Sequence, residues 1–419
     1  MAGEDVYINR GEIIDWIYGL QTTTTLPTTV EVAAGQYSVV GGGFKGSNYL
    51  GPIENESSLH PYDHSHIAMT YVALCTLKSL GDDLSRINKH AILSTLQGLQ
   101  KENGSFVAVS SNTRAAEYDD DADDVAEAED DCDLRFMYAA IAVWYILTSS
   151  DDSSDENGNN NTNTNNDCCY INIESATQYI LSCKSYEGSF GLTPGREGHG
   201  GSTFCGVASL YLLGVLDDVM ENNNNHHQGW KDDLIYWCVM RQQSLLKKKV
   251  VDDDDTTNNN NGYVMDEEDE QQQPAGMVGR PNKKEDTCYS YWIGATLHLL
   301  SSSSHYIDGW ALRDYVLTCQ SPYGGFGKVV GAMPDLLHSF YSLAWLTLSR
   351  EDGCCDEDDL DSNEEEGVEQ QGDDNEEKSD AGIAVYESEM RTQVRGSIDR
   401  LSKLDCALGM CAKRTSNWR

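Results

Sequence analysis

The sequence predicts an all-α protein, an α/α barrel of concentric inner and outer helices, from three observations. Amphipathic and fully apolar helical patterns alternate along the chain. A turn of the form Gly-Gly/Ser-Phe recurs between them. The remaining residues are concentrated in polar tracts that interrupt this repeat without altering it.

The amphipathic patterns lie at about 11–20, 86–100, 172–183, 230–243 and 308–320, where apolar residues recur at helical spacing beside Lys, Asp and Gln. Such helices have one wet face. The apolar patterns lie at about 66–78, 135–147, 202–216, 288–300 and 338–348, as in Phe136-Met137-Tyr138-Ala139-Ala140-Ile141, and must be buried on most sides. Half-wet and buried helices in alternation suit two concentric rings. An open helical solenoid uses the same alternation and stays open as an alternative. The turns are Gly42-Gly43-Phe44, Gly104-Ser105-Phe106, Gly188-Ser189-Phe190 and Gly324-Gly325-Phe326, with a degenerate one around Gly276 to Arg280.

Of the 419 residues only 39% are apolar, and the net charge is -40. About 40 of the 69 acidic residues sit in tracts at about 117–133, 151–167, 250–275 and 351–381, which are too polar to offset the entropy of ordering and read as disordered insertions in a single catalytic domain, 1–419. No basic patch interleaved with aromatics suggests nucleic acid. The longest uncharged apolar runs are too short for a membrane span. Thirteen cysteines follow an N-terminus without an apolar signal region, so reduced thiols and a cytoplasmic location are expected.

Polar residues that break the apolar pattern gather at the starts of the inner helices. Gly279-Arg280-Pro281-Asn282-Lys283-Lys284-Glu285-Asp286-Thr287-Cys288-Tyr289 brings cations, carboxylates, a thiol and a phenol to the start of one of them, and His338 opens another fifty residues after Cys288. Asp, Cys and His can supply three zinc ligands and leave the open position of a catalytic site. By spacing alone, Asp-x-Cys is far more often an N-cap beside a buried thiol than a pair of metal ligands.

Three stretches weigh between these readings: His60-Pro61-Tyr62-Asp63 continuing to Arg86; Gly188-Ser189-Phe190 through His199-Gly200-Gly201-Ser202-Thr203-Phe204-Cys205-Gly206; and Gly279 to Lys283 followed by Asp286-Thr287-Cys288-Tyr289-Ser290. In them the chain resembles the β subunits of type I protein geranylgeranyltransferases, members of the protein prenyltransferase β-subunit family. The resemblance implies transfer of a geranylgeranyl group from geranylgeranyl diphosphate to the cysteine of C-terminal CaaX sequences, in proteins such as Rho/Rac-type small GTPases. It implies one zinc ion held by Asp286, Cys288 and His338, and a diphosphate set of His199, Arg280, Lys283 and Tyr289. Arg135 is the expected peptide contact, with pairing to Asp131 or Asp133 as the alternative. Lys328 stands where farnesyltransferase carries a magnesium-binding aspartate, so magnesium is expected not to be required. The expected partner is an α subunit shared with farnesyltransferase, in a heterodimer.

Relative to that family the chain begins inside the first outer helix, so a first inner helix is expected to be missing. The rival readings are a farnesyltransferase β subunit and a non-catalytic α/α-barrel scaffold. The Asp-x-Asp-Asp motif of terpene cyclases occurs only inside the acidic runs, where composition guarantees it.

Overall fold

The structure is a computed structural model that describes residues 9–27, 37–47, 64–109, 132–149, 170–221, 229–243, 275–300, 306–351, 404–405 and 410–411. The acidic and Asn-rich tracts, apart from their outermost residues, and His60 to Asp63 lie outside the described residues.

The described helices are α1 (Arg10–Tyr18), α2 (Ile67–Leu80), α3 (Lys89–Leu99), α4 (Leu134–Thr148), α5 (Ile173–Ser182), α6 (Gly200–Leu212), α7 (Leu216–Glu221), α8 (Trp230–Val239), α9 (Cys288–Leu299), α10 (Gly309–Thr318) and α11 (Leu336–Glu351). They fall at the expected positions, except that the inner pattern at 202–216 is broken. Gly214 turns left-handed (φ 72°) and the short α7 follows.

The chain divides into two compact units, Met1–Leu234 with Ser402–Arg419, and Ile235–Leu401. In the first, the apolar helices α2, α4 and α6 pack in succession, with the amphipathic α1, α3 and α5 laid against α2, α4 and α6. In the second, α9 packs on α11, and the amphipathic α10 lies against α11. Burial follows the sequence pattern in α4 and α6 but not in every apolar helix: α2 buries one stripe and leaves Met69 and Val72 exposed, and the first half of α11 leaves Leu336, Leu337, Phe340 and Leu343 exposed, because no described element packs on those faces. Ten of the fifteen residues of α4 are buried, all round the helix, whereas α5 buries only Ala176, Tyr179 and Ile180 on one face.

Each glycine turn closes through an antiparallel bridge: Gln100 with Phe106, Lys184 with Phe190, Gln320 with Phe326. Gly104, Gly188 and Gly324 take φ near +90°, the conformation that needs glycine. The phenylalanines of the turns are buried, and three of them are held from both backbone sides by the next inner helix. Phe190 N–H donates to Thr203 Oγ1 (3.2 Å) and its carbonyl accepts from His199 N (3.0 Å). Phe44 repeats this with Thr70 and His66, and Phe326 with Ser339 and Asp335.

Gly42-Gly43-Phe44 is not a tight turn. It ends strand β2 (Tyr37–Phe44), which pairs antiparallel with β1 (Gln21–Pro27), and the Gln21–Phe44 pair occupies the place of Gln100–Phe106. The degenerate unit keeps the same closure as Gln242–Met277, across residues 244–274. In both, the pair at the base of the turn is kept while more residues separate its two sides. A last pair of two-residue strands, β3 (Leu404–Asp405) and β4 (Met410–Cys411), packs with its second strand against α2.

Candidate metal and anion site

Every inner helix begins with a side chain that accepts a backbone N–H of its own first turn. His66 Nδ1 accepts from Ala68, Asp133 from Arg135, His199 Nδ1 from Gly201, Asp286 from Cys288 and Asp335 from His338, at 2.8–3.1 Å. These are the polar residues that break the apolar pattern, and their first job is to satisfy donors that a helix start leaves bare. The N-cap reading of Asp-x-Cys is therefore true, and it does not exclude the other.

In the second unit this capping gathers the metal candidates. Cap geometry turns Asp286 across the start of α9, and α11, packed on α9, brings His338 to it. His338 Nε2 lies 3.3 Å from Asp286 Oδ1. One donor atom each from Asp286, Cys288 and His338 lies within 4.8 Å of the others, the one such three-residue group among the described residues. A single ion with bonds of about 2.0–2.3 Å can be held by such a set after small side-chain rotations.

The arrangement accommodates a cation. His338 Nδ1 is 2.6 Å from Asp335 Oδ2, which orients the ring with Nε2 towards Asp286. Asp286 Oδ1 and Nε2, 3.3 Å apart, can be held together by a proton on Nε2 or by a metal ion between them. The carboxyl of Asp335 is held below its ordinary value by the backbone N–H of His338 and then by the imidazole. Burial pushes the Cys288 thiol well up, Asp286 adds to this, and Lys328 and a hydrogen bond from Trp292 oppose it. Without a cation the buried sulfur stays protonated; as a metal ligand it would be a thiolate.

Lys328 Nζ lies 3.4 Å from Asp286 Oδ2, with its side chain 61% exposed, so its charge sits on the open side of the cluster. Tyr289 follows Cys288. Its phenol is raised to about 12 by burial, then by Cys288 and Asp286, with Arg280 opposing, so it remains an O–H donor beside a guanidinium. A Cβ on Gly279 would fall 2.1 Å from Tyr289 Cζ, so glycine is required for that ring to lie on the backbone. Arg280 is half-buried and Lys283 exposed on the same loop.

His199 and Arg135 belong to the first unit. With Nδ1 accepting from Gly201, His199 presents Nε2–H, and burial followed by the charge of Arg135 keeps its pKa below the ordinary value. Arg135 is 65% exposed, and it pairs with Asp133, itself 3% exposed, at 2.6 Å. This is the acidic-neighbour alternative, and it still leaves most of the guanidinium in solvent. Asp335 was not singled out by sequence reasoning. Its signal was the Asp-x-x-His spacing of a helix start.

Of the aromatic side chains on the inner helices, Tyr138 stacks edge-on with both Tyr71 and Phe204, and Trp292 lies 4.2 Å from Tyr341. Phe204 is fully packed core. Among the described residues no helix is long and apolar enough to cross a membrane.

A family model described as the prenyltransferase alpha-alpha toroid domain matches residues 3–409. The geranylgeranyl transferase type-1 subunit beta of Arabidopsis thaliana is 33% identical over 348 residues, covering 83% of this chain and 74% of that protein. The subunit of the same name from Dictyostelium discoideum is 32% identical over 347 residues, covering 81% and 76%. A solved structure of Candida albicans protein geranylgeranyltransferase-I complexed with GGPP superimposes with a TM-score of 0.59 at 19% identity, over 99% of this chain and 86% of that one, a likeness of fold. The chain therefore belongs to the prenyltransferase α/α toroid family and, within it, to the β subunits of type 1 geranylgeranyltransferase.

Proposed function

We propose that this chain is the catalytic β subunit of a zinc-dependent, magnesium-independent enzyme of the cytosol. With an α subunit it transfers the geranylgeranyl group of geranylgeranyl diphosphate to the cysteine of C-terminal CaaX sequences. The observation that carries the reading is the convergence of Asp286, Cys288 and His338 with Lys328 at one point.

Zinc bound there would hold the substrate cysteine as a thiolate in the fourth position. The remaining work falls to this chain's side chains. As the thiolate forms its C–S bond to the first isoprenoid carbon, the C–O bond to diphosphate breaks and charge grows on the leaving oxygens. Arg280, Lys283, Lys328, the Tyr289 hydroxyl and His199 Nε2–H are donors suited to that charge. Lys328 contributes a fixed positive charge where a metal ion would otherwise be needed. Arg135, held by Asp133, is the candidate contact for the peptide, and Tyr138, Trp292 and Tyr341 are candidate walls for the isoprenoid.

The test is prenyl transfer by the αβ complex to CaaX peptides ending in Leu or Ser, with C20 and C15 diphosphates, with and without magnesium. C20 transfer to the Leu peptide without magnesium is expected. Magnesium-dependent C15 transfer to the Ser peptide would replace this reading with a farnesyltransferase, and zinc binding without transfer would leave only a scaffold.

A further inference from the structure

Between Asp286 and Cys288, the two metal candidates at the start of α9, stands Thr287, which is fully buried. Its backbone N–H donates to the carbonyl of Lys328 (3.0 Å) and its hydroxyl donates to the carbonyl of Gly327 (2.9 Å). Both bonds join segments about forty residues apart in sequence. The segment they hold is narrow: Gly327 N–H donates to Cys319 O (3.0 Å), Gly327 pairs with Pro334, and a Cβ on Gly327 would fall 2.5 Å from Ala332 O. Lys328 is thus carried on a short loop whose inner edge is fastened to the residue between Asp286 and Cys288.

We propose that Thr287 is a positioning residue that fixes the backbone of Lys328 beside the metal cluster. An ammonium on an exposed, flexible four-carbon stem is not placed by its own packing, even where its partner carboxylate is buried. The 3.4 Å approach to Asp286 therefore depends on where the loop holds the Lys328 backbone, and two hydrogen bonds at one buried residue set that. Because Thr287 adjoins both Asp286 and Cys288, the lysine and the ligands are registered to the same turn of chain. A charge that must meet a leaving group at the right distance benefits from this registration. The inference rests on the reading that Lys328 serves the diphosphate.

The experiment compares Thr287→Val, Thr287→Ser, Lys328→Ala and the Thr287→Val/Lys328→Ala double variant in the αβ complex, measuring zinc content, kcat and KM for peptide. Thr287→Val keeps the shape and removes one buried donor, and should lower kcat about tenfold with zinc retained and KM nearly unchanged. Thr287→Ser should restore kcat, and the double variant should be no slower than Lys328→Ala. If Lys328→Ala does not slow transfer, the role given to Lys328 is wrong. If it does, the role of Thr287 is overturned by any of three results: a Val variant at full rate, a Ser variant as slow as Val, or additive losses in the double variant. Loss of zinc in Thr287→Val would also overturn it, by assigning the residue to the metal loop alone.

Discussion

Helices α6 and α9 start the same way and gather different side chains around the cap. In each, the residue ahead of the helix donates its backbone N–H to the preceding turn, His199 to Phe190 O at 3.0 Å and Asp286 to Met277 O at 3.1 Å. In each, its side chain accepts an N–H two residues on. After that, α6 continues with Gly200-Gly201-Ser202, whereas α9 is entered through Thr287-Cys288-Tyr289 and meets His338 from α11. The repeat supplies a polar position at the head of every inner helix, and capping alone justifies it. Metal-binding capacity needs an anionic cap with a thiol and an imidazole beside it, and the first unit has neither next to His199 in sequence.

The sharpest break of the comparison separates cap from ligand. Cys288→Ala should abolish stoichiometric zinc. Asp286→Asn retains a cap acceptor and loses the charge, so thermal stability of the metal-free protein should change little, while zinc affinity falls by more than the about 10–100-fold that outer partners of metal ligands are worth. His199→Asn, the matching change in α6, should leave zinc untouched. Metal analysis and a chelator titration measure all three, and an Asp286→Asn protein that retains full zinc affinity would reduce Asp286 to a cap.

A smaller effect tests the seam that brings the ligands together. A Cβ on Gly294 of α9 would fall 2.2 Å from Trp345 Cζ3 of α11, and one on Gly206 of α6 would fall 3.0 Å from Phe190 Cγ. Gly294→Ala must push α11 off α9, costing about 1–3 kcal/mol as overpacking does, and should weaken zinc binding by separating His338 from Asp286 and Cys288. Gly206→Ala needs a shift of only tenths of an ångström, and should cost less and leave zinc alone. Denaturant unfolding with paired zinc titrations distinguishes them. Equal zinc affinity in both variants would mean that helix spacing does not set the cluster.

How much of this the sequence disclosed follows from the range of the interactions. The alternation of helices, the glycine turns and the caps are local, and each is written in residues a few positions apart. The cap of α9 was legible at Asp286, because a cap acts two residues away, whereas Asp133, which caps α4 in the same way, was read only as a charge partner of Arg135. The β1–β2 hairpin was not legible, because the sequence of Gly42-Gly43-Phe44 reads as a tight turn and only its pairing with Gln21 reveals the longer separation of the two sides. The partners of Thr287 were illegible for a different reason. A threonine before Cys288 looks like an ordinary helix start, and its bonds run to carbonyls, which every residue carries alike. The Asp286–Cys288–His338 set lies between these cases. Its residue types were visible, and their convergence needed α11 to pack on α9.

The mildest contrast is in acid. The caps of α2 and α6 are imidazoles, those of α9 and α11 carboxylates. Burial lowers the pKa of His66, and burial with Arg135 lowers that of His199. The unfolded chain therefore takes up these protons first, at about pH 6.5, and folding stability is complete above that pH and declines as pH falls below it. The mechanism is local: a protonated Nδ1 can no longer accept the N–H of Ala68 or Gly201. Both rings keep some solvent, so the loss by pH 5.5 should be a few tenths of a kcal/mol each, well under the full linkage slope of about 1.4 kcal/mol per pH unit. In His66→Asn/His199→Asn an amide oxygen holds both caps at every pH, and its unfolding midpoint should fall less between pH 7.5 and 5.5 than that of the parent chain. An equal fall would mean that other groups carry the acid sensitivity and that histidine and carboxylate caps are interchangeable in this fold.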